Sequence, residues 1–181
     1  MWLSKFLTAI PATMNRLATI VIDKQYLHFS IAHFTIFSAT SRERLHGHNV
    51  RIGVSITGEV DDNGLCFDYA VYKKILKALC AKYDEYTLIA KDSPHLKISE
   101  DNNFYHVEHN GINMPLLKTD TILLPVLNVT IEELAYYLLN ELIADRGLLD
   151  DLKIHAFETR VSSGPDQWAR CAWDKKTDSI V

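Results

Sequence analysis

A chain of 181 residues, 48% hydrophobic and 23% charged, has ordinary globular composition and can bury a core without staples, which excludes wholesale disorder and a disulfide-held miniprotein. Nineteen basic against 23 acidic residues leave a net charge of −4, no field for phosphate backbones, so no nucleic-acid partner is expected. No apolar run reaches the roughly 20 residues of a membrane helix, so no membrane partner is expected. Three cysteines (Cys66, Cys80, Cys171) form no CxxC pair and suggest reduced thiols in a cytoplasmic protein; eight histidines are the outlier.

Residues 1–17 read as an N-terminal extension, too poor in charge for a signal peptide, and 175–181 as a C-terminal tail; one domain fills 18–174. Residues 18–34 are rich in β-branched and aromatic types and predict a strand, kinked near Asp23-Lys24. A polar loop covers 35–45. Residues 46–58 alternate as a strand, closed by Gly58 and the turn Asp61-Asp62-Asn63-Gly64. Asp68 can cap a helix over 69–83, with Tyr72, Ile75, Leu76, Leu79 and Tyr83 on one face. Residues 86–128 look irregular, with a hairpin insertion of short strands near 104–108 and 113–124. Thr130 and Glu133 make a capping box for a helix over 131–146, with an Ile131/Leu134/Leu138/Leu142 stripe and Gly147 as its stop. Strands follow at 152–162 and 167–173. Strand pairs alternating with single helices predict an α+β layer, an antiparallel sheet with helices on one face.

Strand parity then sorts the histidines. Side chains two apart share a face. On the second strand Val50, Ile52, Val54 and Ile56 form the apolar set, and His46 and His48 are in phase with it. On the first, His33 follows Leu27, Phe29 and Ile31 in phase. If the two strands pair around loop 35–45, three imidazoles converge. Three neutral nitrogens with a fourth position open are a catalytic zinc (Zn2+) arrangement, and Gly47 leaves room for substrate. The alternative is three satisfied polar residues at a strand end.

Parity also places Glu158 in phase with Leu152, Ile154 and Ala156, a carboxylate on a core face that needs a partner. It could accept two N–H bonds from an amino-pyrimidinone edge, as in guanine or a pterin, or pair with Arg51 or Arg160. Asp84 and Glu85 follow the first helix, where acids oppose the helix dipole; they are either functional or a solvated loop pair. Glu43 lies three residues before His46, within reach of a metal-bound substrate as general acid or base. The cysteines read as packing residues and His106 and His109 as solvent-facing; His95 stays open as a mobile-loop histidine.

Five segments, in order, resemble the 6-pyruvoyltetrahydropterin synthase / 6-carboxytetrahydropterin synthase family. FSIAH (29–33) is similar to its F-x-A-A-H, RLHGHNV (44–50) to L-H-G-H-N-Y and GLCFDY (64–69) to G-M-V-x-D-F. LNVTIEELA (127–135) is similar to N-x-T-x-E-x-L-A, and HAFET (155–159) to a late strand ending in E-T. The resemblance implies a tunnelling fold, a four-stranded antiparallel sheet with two helices on one face, and a homo-oligomer, trimer or hexamer. It implies zinc on His33, His46 and His48, pterin held by Glu158, and Thr130 and Glu132 near the pterin pocket. Two departures stand out. Positions 40 and 42, where members carry a catalytic Cys, hold Thr40 and Arg42; Glu43 instead makes E-x-x-H-G-H, resembling the third type of the family. That type cleaves the side chain of 7,8-dihydroneopterin triphosphate to 6-hydroxymethyl-dihydropterin for folate synthesis. The family's L-D-H proton relay reads Tyr83-Asp84-Glu85, so Glu85 takes the relay role, His95 substitutes, or the reaction is not performed. The alternatives are a 6-carboxytetrahydropterin synthase in deazapurine (queuosine) synthesis and a non-catalytic zinc- and pterin-binding module.

Overall fold

The computed structural model describes residues 16–181. Most of the expected N-terminal extension lies outside them. The first strand region is two strands, β1 (Arg16–Ile22) and β2 (His28–His33), where one kinked strand is expected. The kink is a full turn, closed by the Leu27 N–H on the Lys24 carbonyl (2.9 Å). Both strands run antiparallel along one edge of the long β3 (His46–Val60), β1 beside its far half and β2 beside its near half.

Helix α1 (Ala70–Tyr83) follows. Its cap position is Tyr69 rather than Asp68, though the Asp68 carboxylate still accepts the Ala70 N–H at 2.9 Å. β4 (Tyr86–Ala90) then lies parallel to β2, and β5 (Lys97–Glu100), β6 (Phe104–His109) and β7 (Ile112–Leu117) form a separate three-stranded sheet. A tight turn at 118–120 splits the expected 113–124 strand, so β8 (Thr121–Leu124) leaves the insertion and pairs with β4. Thr130 caps α2 (Ile131–Leu142) by accepting the Glu133 N–H. This helix ends before Gly147, which sits inside α3 (Arg146–Asp151). The reason is a second cap: the Asp145 carboxylate accepts the Leu148 N–H at 3.0 Å and starts a new helix. β9 (Ile154–Ser162), β10 (Ala169–Asp174) and a short β11 (Ser179–Ile180), inside the expected tail, complete the chain.

The α+β layer stands, with a sheet larger than four strands. Its order is β11-β10-β9-β3-β2-β4-β8 with β1 also on β3, mostly antiparallel, and parallel only where β4 and β8 extend it. Val50, Ile52, Val54 and Ile56 are buried against Tyr72, Leu76 and Tyr83 of α1 and Leu134 and Leu138 of α2. Each such side chain contributes about 1.5–3 kcal/mol. A second small cluster (Phe34, Ile36, Ile89, Val107) joins the insertion to the loop after β2. That loop carries the site.

Candidate metal centre

β2 and β3 pair so that His33 stands opposite His46 and Ile31 opposite His48. The three imidazoles therefore converge as parity expects, each offering a nitrogen within 4.8 Å of the others. His33 is buried, and its Nδ1 lies 2.8 Å from the Val129 carbonyl. The proton belongs on Nδ1, which leaves the Nε2 lone pair inward. Among the described residues that Nε2 is buried with no hydrogen-bond partner. An unmet buried acceptor costs about 1–3 kcal/mol. His46 is oriented the same way, Nδ1 2.8 Å from the Arg44 carbonyl, and its Nε2 lies 2.9 Å from Nε2 of His48. Burial, the first cause, lowers the His33 pKa below the ordinary histidine value and favours the neutral ligand form. Two carbonyl-oriented rings, an orphaned nitrogen and a close nitrogen pair fit a cation with three nitrogen ligands.

Glu43 sits beside this triad. Its N–H donates to the Thr35 carbonyl (2.8 Å), its carboxylate accepts the Thr35 N–H (2.9 Å), and Oε2 is 4.0 Å from His46 Nε2. Hydrogen bonding from Thr35 holds the carboxyl below its usual range. Thr130 lies one residue beyond Val129 but uses its hydroxyl to cap α2; Glu132 is exposed on the first turn of that helix.

The other expected residues stand apart. Asp84 accepts the Ser30 N–H (2.7 Å), and the Glu85 N–H donates to the Ser30 carbonyl (2.7 Å). Both side chains are exposed, and Glu85 has φ 67°, a left-handed conformation unusual for a non-glycine residue. His95 is exposed as well.

Glu158 is not on the core face. The β3–β9 register shifts between Thr57 and Gly58, so Ile154 opposes Gly58 while Ala156 opposes Thr57. This bulge reverses parity: Phe157, Thr159 and Val161 face the core, and Glu158 points beside Ser55 to the face opposite α1 and α2. There its carboxylate is 3.4 Å from the Ser55 hydroxyl and 3.9 Å from both Arg160 and Arg170; Arg51 pairs instead with Asp23. From His48 to Ser55 is seven residues of strand, about 23 Å at ~3.3 Å each.

His109 is likewise not solvent-facing. It is buried, with Nε2 2.9 Å from the Ser38 carbonyl, whereas His106 is half-buried against Asp101. Cys80 packs in the core as expected. Sequence pattern does not reveal Asn128, Val129 or Thr35 as site-building residues, because two of them act through backbone groups; the N-x-T spacing before a helix cap is the only signal.

The family model described as 6-pyruvoyl tetrahydropterin synthase matches residues 9–173. The chain belongs to this family. A Methanocaldococcus jannaschii relative, provisionally named 6-carboxy-5,6,7,8-tetrahydropterin synthase, is 32% identical over 123 residues, 66% of this chain and 73% of that one. An Archaeoglobus fulgidus protein with the same name is 38% identical over 91 residues, 48% and 75% of the two chains. The 6-pyruvoyl tetrahydropterin synthase of Plasmodium falciparum superposes with a TM-score of 0.83 at 30% identity, covering 88% of this chain and 99% of its own. The P. vivax enzyme does so at 26% identity with the same score and coverage. The tunnelling fold of this synthase family is thus the fold of the chain.

Proposed function

We propose that the protein is a zinc-dependent lyase acting on the side chain of 7,8-dihydroneopterin triphosphate, giving 6-hydroxymethyl-dihydropterin for folate synthesis. The observation that carries this reading is the Glu43 carboxylate 4.0 Å from His46 Nε2, a base at the mouth of a three-histidine pocket with no thiol at positions 40 or 42. Structures of the P. vivax enzyme include alanine and cysteine variants of a glutamate described as its catalytic residue, which supports a carboxylate base.

His33, His46 and His48 would hold the zinc, which when bound supplies Lewis-acid polarisation of side-chain hydroxyls. The Thr35 N–H fixes the Glu43 carboxylate, and hydrogen bonding from the Thr35 side chain first, then from its N–H, favours the ionised form, so Glu43 is ready to take a hydroxyl proton from the substrate. Glu158 binds the amino-pyrimidinone edge, with Thr130 and Glu132 lining the pterin pocket. Asp84 and Glu85 relay protons.

One copy cannot present Glu158 and the triad to one pterin. They lie about 23 Å apart along β3 and on opposite faces of the sheet. The proposed site is therefore shared between copies in a trimer or hexamer, a neighbour supplying the second group.

The names of the archaeal relatives favour a second reading, a 6-carboxytetrahydropterin synthase. Incubation with 7,8-dihydroneopterin triphosphate and product mass separates the two. The first reading expects 6-hydroxymethyl-dihydropterin; a 6-carboxy product replaces it with the second, and bound pterin without product leaves a binding module.

A further inference from the structure

The loop between His33 and His46 is a miniature hairpin. The Glu43 N–H donates to the Thr35 carbonyl and the Phe37 N–H to the Ser41 carbonyl, at 2.8 and 2.9 Å. Ile36 and Arg42 thus oppose each other as a non-hydrogen-bonded pair. In such a pair the N–H and C=O of Ile36 point away from the partner strand, and Ile36 itself is buried. Among the described residues no further strand covers that edge. The side chain of Asn128 takes its place: Oδ1 accepts the Ile36 N–H (3.0 Å), and Nδ2 donates to the Ile36 carbonyl (2.8 Å). The Val129 N–H also donates to Oδ1, at 3.1 Å. Two N–H donors on one atom and a carbonyl on the other fix which way the carboxamide points.

The next residue completes the link. The Val129 carbonyl orients His33 through Nδ1, and Thr130 caps α2. Three consecutive residues therefore tie a histidine of the triad, the hairpin bearing Glu43 and a core helix to one another.

We infer that Asn128 is a positioning residue whose carboxamide acts as an extra strand rung, clamping the Glu43 hairpin in register with the histidine triad. The clamp is read from geometry alone; its catalytic consequence rests on the lyase reading above. A carboxylate base displaced by about 1 Å loses on the order of 100-fold in turnover. No other residue can make both bonds at this length: Asp lacks the donor, Ser and Ala reach neither group.

The test is Asn128→Asp, with Asn128→Ser as the second variant should the first not fold, in the full-length zinc-loaded protein. Asp sets a carboxylate against the Ile36 carbonyl while keeping size. Expected are amide hydrogen exchange at Ile36, Phe37 and Glu43 faster by at least about 10-fold, since local opening governs exchange, and kcat on 7,8-dihydroneopterin triphosphate lower by about 100-fold. Zinc content and KM stay at the wild-type values. Unchanged exchange at the three amides overturns the clamp. Lost zinc, or an unchanged kcat per folded molecule, overturns the positioning role, the latter leaving Asn128 a merely structural residue. If the wild type converts no pterin, the lyase reading fails, and the exchange measurement still decides the clamp.

Discussion

The histidine pocket and the acids expected to work with it are built in opposite ways. The pocket is local: His33, His46, His48 and Glu43 sit at the ends of two paired strands and in the loop joining them. Asp84, Glu85 and Glu158 come from remote elements; the first two grip Ser30 from the start of β4, and Glu158 lies on the far face of the sheet. One chain thus brings three histidines and a carboxylate together by itself, whereas Glu158 stands on the other face of the sheet. Exposure points the same way, since a buried His33 faces His46 and His48 while Asp84 and Glu85 are exposed.

That contrast can be broken at either end. The largest effect belongs to the ligands: His48→Ala lowers bound zinc from near one equivalent to below about 0.1, because two nitrogens no longer hold the ion. Atomic absorption on the purified variant measures this, and full zinc content would remove His48 from the site. Glu43→Ala keeps zinc and fold but lowers kcat about 10²–10⁴-fold, the usual range for a general base; full activity refutes its role. Mixing Glu43→Ala with Glu158→Ala subunits, dissociated and reassembled together, sharpens the comparison. If each site draws Glu43 from one copy and Glu158 from another, an even mixture regains about a quarter of wild-type activity. Sites complete within one chain regain none.

Smaller effects concern the frame. Thr130→Ala removes the α2 cap and lowers stability by about 1 kcal/mol, read from denaturant midpoints at unchanged slope. In the insertion, Asp101 accepts from His106 and from the Phe104 and Asn103 N–H groups, which hold its carboxyl down to about 2. A folded-state pKa below the unfolded one gives stability that is present above the unfolded value of about 3.9 and is lost as pH falls toward 2. Amide shifts of β5 and β6 followed from pH 5 to 2 check this; a midpoint near 4 contradicts it.

Much of this was legible in the amino-acid sequence. Alternation on two strands located the triad, since parity holds wherever a strand stays regular, and the α1 and α2 stripes located the core helices. Glu158 shows where parity stops working: one bulge between Thr57 and Gly58 sends it to the other face, and nothing in HAFET marks the extra residue. Helix ends were blurred because Asp145 competes as a cap with the stop at Gly147. β4 has no signal in the sequence because a short apolar run in a parallel pair carries no alternation, and β8 is hidden inside the expected 113–124 strand for the same reason. The polar neighbours of His109 suggest a solvent-facing ring because its partner, the Ser38 carbonyl, lies 71 residues away in the chain.

The most direct test is product mass after incubating the zinc-loaded protein with 7,8-dihydroneopterin triphosphate. The expected product is 6-hydroxymethyl-dihydropterin from the wild type and none from Glu43→Ala. A 6-carboxy product, or equal product from both proteins, would contradict this expectation.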